Sequence, residues 1–550
     1  MRLFLLLLGM IAIASADCSG SISQSVPAVV GNGGGLVNVT ISLAEGPGTA
    51  YATTDPRVGY TTQASIEQAA AYALAITGKE CDVLVDFSDA RSVTSLIEGP
   101  SAGTAIAVMT YALLEDKALR EDTVMTGSID PLGRVGAVGG LYEKAKGAAY
   151  KGARYFITPV EGFYEALLLR GMEENYGITI LQARTVQEVI GFMTENMTIA
   201  QTGITVEERE VPDLPDYHFP DRSFRGVAQR MIDAEEDAVL LLPENENDTA
   251  AIKSYFTNEV KRQGAISDNG YLFSAANEAF LNYIDIETVK AILADDVDLA
   301  RRKGEASICL ENLERPAITD ANFQWVIGAD LREAWGMERL GSINATEDLL
   351  VEEEYAAYNE LMYSQAWCIV AESLLAQAPS GGTPIDEGAW KGIAERKLAE
   401  AREAAGESGS SEKLDSAERS FAEGRYGAAI YDSVYVIETS DVGEIDDQNL
   451  SGLVGEERIS LWGQVYQSHA AFMLAQNMSE GAYSTARYAY GLDEATVEMA
   501  QAMGPAVQEE PQERSGEADI LYIGAAVGGV LFLLIVLLLL RGRTHGDNRS

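Results

Sequence analysis

The chain has 550 residues, 47% of them apolar, which is enough for roughly two to four domains with buried cores and excludes global disorder. Its 84 acidic and 40 basic residues leave a formal charge of −44, which repels polyanions and excludes nucleic acid as a partner. That charge reads as a heavily solvated acidic surface, with selection of basic substrates as the other reading it leaves open.

The first residues, MRLFLLLLGMIAIASA, join one Arg to an apolar run and end in Ala14-Ser15-Ala16, the small-x-small pattern of a signal peptidase site. Residues 1–16 therefore read as a signal peptide. Residues 21–200 read as one α+β unit. Within it Leu36–Leu43 alternates as a strand, Ser65–Thr77 is an Ala-rich helix and Asp82–Phe87 a buried strand. Ser101 lies between Gly99-Pro100 and Ala102-Gly103, ahead of a stretch of helical composition from Ala102 to Leu119. Val124–Gly127 is a short strand entering a turn, Leu141–Lys151 a helix, and Tyr155–Pro159 a strand closed by proline.

Residues 201–222 hold Pro212, Pro215 and Pro220 among acidic residues, a linker composition. From 223 to 504 the pattern is helical. Val351, Tyr355, Tyr358, Met362, Ala366 and Ile369 follow three- and four-residue steps, and Ala417–Ile437 faintly resembles a helical-repeat hairpin. A packed helical bundle or a few stacked hairpins is expected. An acidic link, 505–519, leads to 520–540, a charge-free stretch that as a helix would extend about 31 Å and cross a bilayer once. Arg541, Arg543 and Arg549 follow, which places the tail 541–550 in the cytoplasm and the bulk of the chain outside the cell membrane. The expected fold is thus an α+β domain, a mostly α-helical domain and one C-terminal transmembrane helix.

Cys18, Cys81, Cys309 and Cys368 form no Cys-x-x-Cys knuckle. Outside the cell Cys18 with Cys81 and Cys309 with Cys368 are compatible pairs, and buried free thiols are the open alternative. Asn-x-Ser/Thr sequons at Asn38, Asn196, Asn247, Asn344, Asn449 and Asn477 are compatible with surface glycosylation.

The chemistry is narrowed by what the chain contains. Its three histidines, His218, His469 and His545, lie in the linker, the helical region and the tail, so a Ser-His-Asp triad has no supply. There is no His-Glu-x-x-His for zinc, and Gly31–Gly35 lacks the lysine of a phosphate loop. A serine hydroxyl can instead be activated by a neutral lysine. With an ordinary pKa near 10.4 only about one lysine in 2,500 is neutral at pH 7, so the site must depress it by burial or positive potential. Ser101 and Lys144 are the pair with suitable surroundings. Taken singly, Ser101 reads equally as a helix cap and Lys144 as a solvated lysine.

Their combination reads further. Gly99-Pro100-Ser101-Ala102-Gly103, Met125-Thr126-Gly127, Gly133–Val135, Gly139-Gly140-Leu141-Tyr142-Glu143-Lys144 and Lys151-Gly152-Ala153, in that order, closely resemble the proteolytic domain of the Lon family over roughly residues 25–200. The resemblance implies a Ser-Lys dyad endopeptidase with Ser101 as nucleophile and Lys144 as general base. It also implies that Thr126 supports the lysine and that Glu98 is the acidic residue preceding the serine. Ser128, where many bacterial relatives have Glu, points to the archaeal, membrane-type branch. The family's usual ATPase module is not found in these 550 residues, so an ATP-independent enzyme without cofactor or metal is expected, acting on unfolded or flexible proteins and peptides, and compatible with a homo-oligomer. Two other readings stay open: a catalytically silent scaffold whose helical region binds a partner protein, and a dyad that processes only its own chain.

Overall fold

The computed structural model describes residues 18–503 except 31–32, 88–89, 91–95, 200–208, 218–222, 245–246, 346–348, 407–411 and 441–446. The expected signal peptide 1–16, acidic link 505–519, membrane span 520–540 and tail 541–550 lie outside the described residues, as does most of the linker 201–222. Among the described residues no helix is long and apolar enough to cross a membrane.

The N-terminal unit is α+β. Strands β1 (Ser21–Val30) and β2 (Gly33–Ala44) form an antiparallel hairpin, and β3 (Ala50–Ala52) and β4 (Arg57–Val58) precede helix α1 (Tyr60–Thr77). Next come β5 (Asp82–Asp86), β6 (Leu96–Ile97), α2 (Gly103–Leu114), β7 (Thr123–Met125), β8 (Ser128–Ile129), β9 (Val135–Gly136) and α3 (Leu141–Tyr150). β10 (Tyr155–Pro159), α4 (Phe163–Tyr176), β11 (Thr179–Ala183) and α5 (Val186–Glu195) complete it. One sheet runs β1-β2-β5-β3; a second, wholly parallel, runs β11-β10-β7. Strand β1 escaped sequence reading because Pro27 interrupts it. Proline lacks the ladder donor, and β1 is an edge strand, where that loss is tolerated.

Helix α2 is buried almost all round, with Ala105, Ile106, Ala107, Val108 and Met109 inaccessible, and so forms the centre of the unit. It ends at Leu114 rather than the expected Leu119. Asp116 turns left-handed (φ 51°) and the Lys117 N–H returns to the Ala112 carbonyl at 2.8 Å, closing the last turn.

The glycine run before Leu36 has a packing role. A Cβ on Gly34 would lie 1.6 Å from the Glu143 carbonyl oxygen, and one on Gly147 2.6 Å from the Gly34 carbonyl carbon. Helix α3 therefore rests backbone to backbone on the start of β2.

The rest is helical: α6 (Phe224–Leu240), α7 (Asn247–Asp268), α8 (Leu272–Ala294), α9 (Leu299–Glu311), α10 (Phe323–Ser342) and α11 (Val351–Gln377) come first. A 3₁₀ turn (Glu387–Trp390) leads to α12 (Lys391–Ala405), α13 (Glu412–Ala422), α14 (Tyr426–Thr439), α15 (Asp447–Val454), α16 (Leu461–Ala475) and α17 (Ser479–Ala502). The hairpin read in Ala417–Ile437 is α13–α14, turned at Gly424 (φ 80°). The stripe from Tyr355 through Tyr358 and Met362 to Ile369 is buried. Cys18–Cys81 and Cys309–Cys368 are both disulfides, with Cα atoms 5.5 and 6.1 Å apart, and no free cysteine is left among the described residues.

Gly34→Ala should destabilise the protein by about 1–3 kcal/mol through the forced displacement of α3. Gly171→Ala, in α4 with no atom within 4 Å of its added methyl, should instead be neutral or stabilising by up to about 1 kcal/mol. Paired denaturant melts check the contrast.

Candidate active site

Ser101 is held at the front of α2 by the loop before it. Three hydroxyls of α1 grip that loop: Thr62 donates to the Gly99 carbonyl (2.9 Å), Ser65 to the Pro100 carbonyl (3.0 Å), and Thr61 accepts from the Gly99 N–H (3.0 Å). Gly99 sits at φ 111°, a conformation side-chain-bearing residues rarely adopt. The Glu98 carboxylate accepts from the Thr61 N–H (3.3 Å) and from the Thr61 hydroxyl. A Cβ on Gly59 would lie only 1.3 Å from Glu98 Oε2, so Gly59 makes room for it. Glu98 thus caps the N-terminus of α1 and anchors the Ser101 loop, a structural hold on the serine.

Thr126 is fully buried at the end of β7, and its hydroxyl donates to the Ser101 carbonyl at 3.2 Å. The Gly127 N–H donates to the same carbonyl at 3.0 Å. The resemblance had Thr126 directing the lysine; here its hydroxyl fixes the backbone of the serine. The N–H groups of Ser101 and Ala102 have no acceptor among the described residues, and both lie at the positive end of α2.

Lys144 sits in the first half of α3, only 5% exposed. Its Nζ donates to the Gly139 carbonyl at 2.6 Å. Burial lowers its pKa from 10.5 to about 8, against the opposing pull of the Glu352, Glu143 and Glu161 carboxylates. About one molecule in ten then carries a neutral Lys144 at pH 7, against about one in three thousand for an unperturbed lysine. Ser101 and Lys144 line one cleft of about 450 Å³, with Glu98 on its wall and Val26, Val29, Val37, Phe87, Leu96 and Ile97 as its apolar surface. Among the described residues the Ser101 hydroxyl has no hydrogen-bond partner, so the two side chains share a cleft without touching through one.

Two acidic groups at this site were not read from the sequence. Glu352, in the first turn of α11, accepts from the Gly140 N–H (2.7 Å) and the Tyr142 N–H (3.0 Å) and so caps the helix carrying Lys144. Glu143 of α3 returns the bond, accepting from the Val351 N–H at the start of α11 (2.8 Å). Glu161, after β10, has its pKa raised to about 7 by burial and by the Glu165 and Glu352 charges. The acidic run Glu352-Glu353-Glu354 does mark a helix start, but nothing in it says that its first member caps a different helix.

With this geometry established, residues 29–193 match the family model of the Lon protease (S16) C-terminal proteolytic domain. Similar proteins include the Lon protease of Haemophilus influenzae, 32% identical over 132 residues, which cover 24% of this chain and 16% of that one. The archaeal Lon protease of Methanocaldococcus jannaschii is 30% identical over 109 residues, 20% of this chain and 15% of its own. A shorter match, 45% over 62 residues, links the chain to the Lon protease of Phenylobacterium zucineum, covering 11% of this chain and 8% of that one. The chain thus spans a fifth or less of the length of these relatives. The N-terminal unit thus matches the Lon-type proteolytic domain, and a mostly helical region follows it.

Glu352→Gln removes a negative charge that favours the Lys144 ammonium, so the Lys144 pKa should fall below its wild-type value of about 8. An NMR titration of lysine Cε resonances would show the midpoint moving down; a midpoint that moved up would mean that loss of the cap outweighs loss of the charge.

Proposed function

We propose that the protein is a membrane-anchored, ATP-independent serine endopeptidase in which Ser101 attacks the scissile carbonyl and Lys144 is the general base. The observation that carries this reading is the shared cleft, lined both by a serine at the front of a buried helix and by a lysine whose pKa burial has brought to about 8. In the acylation step neutral Lys144 takes the Ser101 proton as the hydroxyl oxygen bonds to the carbonyl carbon. The ammonium then returns that proton to the leaving amine, and water repeats the sequence to release the acyl group. The unspent N–H groups of Ser101 and Ala102 are suited to the oxyanion that forms. Thr126, Glu98 and the α1 hydroxyls act as positioning residues for the serine. The valines, Phe87, Leu96 and Ile97 of the cleft favour apolar side chains beside the scissile bond, supplied by unfolded segments and flexible loops.

The location is inferred together with the chemistry. The signal-like residues 1–16, the apolar stretch 520–540 and two disulfides fit a single-pass protein with its bulk in an oxidising exterior. Protease added to intact cells should remove the bulk of the chain while an epitope on 541–550 stays protected.

Ser101→Ala and Lys144→Met should each lower cleavage of an unfolded protein, assayed without ATP, by about a thousandfold or more at unchanged melting temperature. Activity equal to wild type in both variants would overturn the dyad. In the wild type kcat/KM should rise with pH as Lys144 loses its proton, levelling above about 8. A flat profile from pH 6 to 10 would show that the lysine is not the base.

A further inference from the structure

The helical region holds a second, partly open cavity, about 400 Å³ in volume, that shares no lining residue with the Ser101 cleft. Its wall draws on α6, α8, α10, α11, α13, α14, α16 and α17. One side is aliphatic and aromatic, with Val227 and Met231 of α6 and Val370 and Leu374 of α11. The other carries the only two residues of the wall with cationic side chains at neutral pH, Arg332 and Lys413, and no acidic residue lines it.

Those cations are held in an unusual way. Arg332 is 3% exposed, and its guanidinium carbon lies 4.4 Å from the ring centre of Trp462, 4.9 Å from Trp335 and 5.8 Å from Trp367. Lys413 Nζ lies 3.2 Å from the centre of Trp335. Among the described residues neither makes a salt bridge. Arg332 gives Nη1 to the Gly328 carbonyl (3.3 Å), while its buried Nε has no partner. Asp432, fully buried and outside the wall, accepts from the Trp335 indole N–H (3.2 Å), and its charge reaches both cations. Glu412 and Glu338, also outside the wall, reach Lys413 as well, whereas Arg332 has no ion-pair partner among the described residues. Burial holds Lys413 at a pKa of about 8, and His469, the remaining titratable base of the wall, is kept neutral by burial at a pKa of about 4.

A buried guanidinium ordinarily needs a carboxylate, because removing it from water costs several kcal/mol. Indole faces return part of that cost, but they cover only the flat of the guanidinium; in its plane, where a carboxylate bonds, the donors have the neutral Gly328 carbonyl and Tyr466 hydroxyl as partners and no carboxylate. The same stacking excludes a cationic ligand, since the ring faces that would receive it are already taken. We propose that this cavity is a binding site for a small organic carboxylate with an apolar body, its head group on Arg332 and Lys413 and its body against α6 and α11. A fatty acyl chain and the free C-terminus of an apolar peptide both present this chemistry.

The test uses the full chain and its own tryptophans, since three of the five line the cavity. Fluorescence titrations with decanoate and with N-acetylphenylalanine are compared with those of decan-1-ol and N-acetylphenylalanine amide, the neutral counterparts. At least one carboxylate should bind about tenfold or more tightly than its counterpart. The tighter of the two names the source, and Arg332→Met and Lys413→Met should each abolish the preference while peptidase activity persists. Equal binding of acids and neutral counterparts, or no binding of either acid at about 1 mM, overturns the proposal. That comparison on the wild-type chain decides even if Arg332→Met fails to fold.

Discussion

Two helices that belong to different parts of the chain exchange carboxylates. Glu352 at the start of α11 satisfies the first N–H groups of α3, and Glu143 of α3 satisfies the first N–H of α11. A helix start leaves such donors bare, and capping each is worth about 0.5–2 kcal/mol. The exchange locks the peptidase unit to the helical region at the point where Lys144 stands. Much of the site's geometry follows from it: Gly140 is pinned, so the Gly139 carbonyl beside it is presented to Lys144 Nζ.

The electrostatics of Lys144 are a contest decided by burial. Three carboxylates favour its charged form, and any of them in open water would raise its pKa. Desolvation is the largest influence and opposes all three, leaving the group near 8. The close seating of α3 on β2 through Gly34 and Gly147 is what makes that burial achievable, because a side chain at either position would lift the helix and admit water.

The segments around Ser101 and Lys144 stand out in the sequence because glycine and proline flank the serine and a double glycine opens the lysine helix, local signals that survive without a structure. The helix α2, the strands β5 and β10 and the α13–α14 turn were legible for the same reason, since apolar runs and Gly or Pro stops are local. The partners of the site were not. Glu98 looks like a group beside the nucleophile, yet its carboxylate is spent on Thr61 of α1, a contact that exists only once β6 and β4 pair side by side. Thr126 is placed by its family likeness near the lysine, but the strand β7 delivers its hydroxyl to the serine backbone. Glu352 lies some two hundred residues from the helix it caps, and spacing carries no information about such a meeting.

The exchanged caps also bear on how this protein can be taken apart. An N-terminal unit severed at the linker would keep Ser101, Lys144 and its sheets, but α3 would begin with bare donors facing solvent, and the Gly139–Gly140 turn would lose its outside clamp. The helical region is therefore part of the scaffold of the helix that carries Lys144. A substitution at residue 352 or at 143 therefore bares helix donors in the other half of the chain.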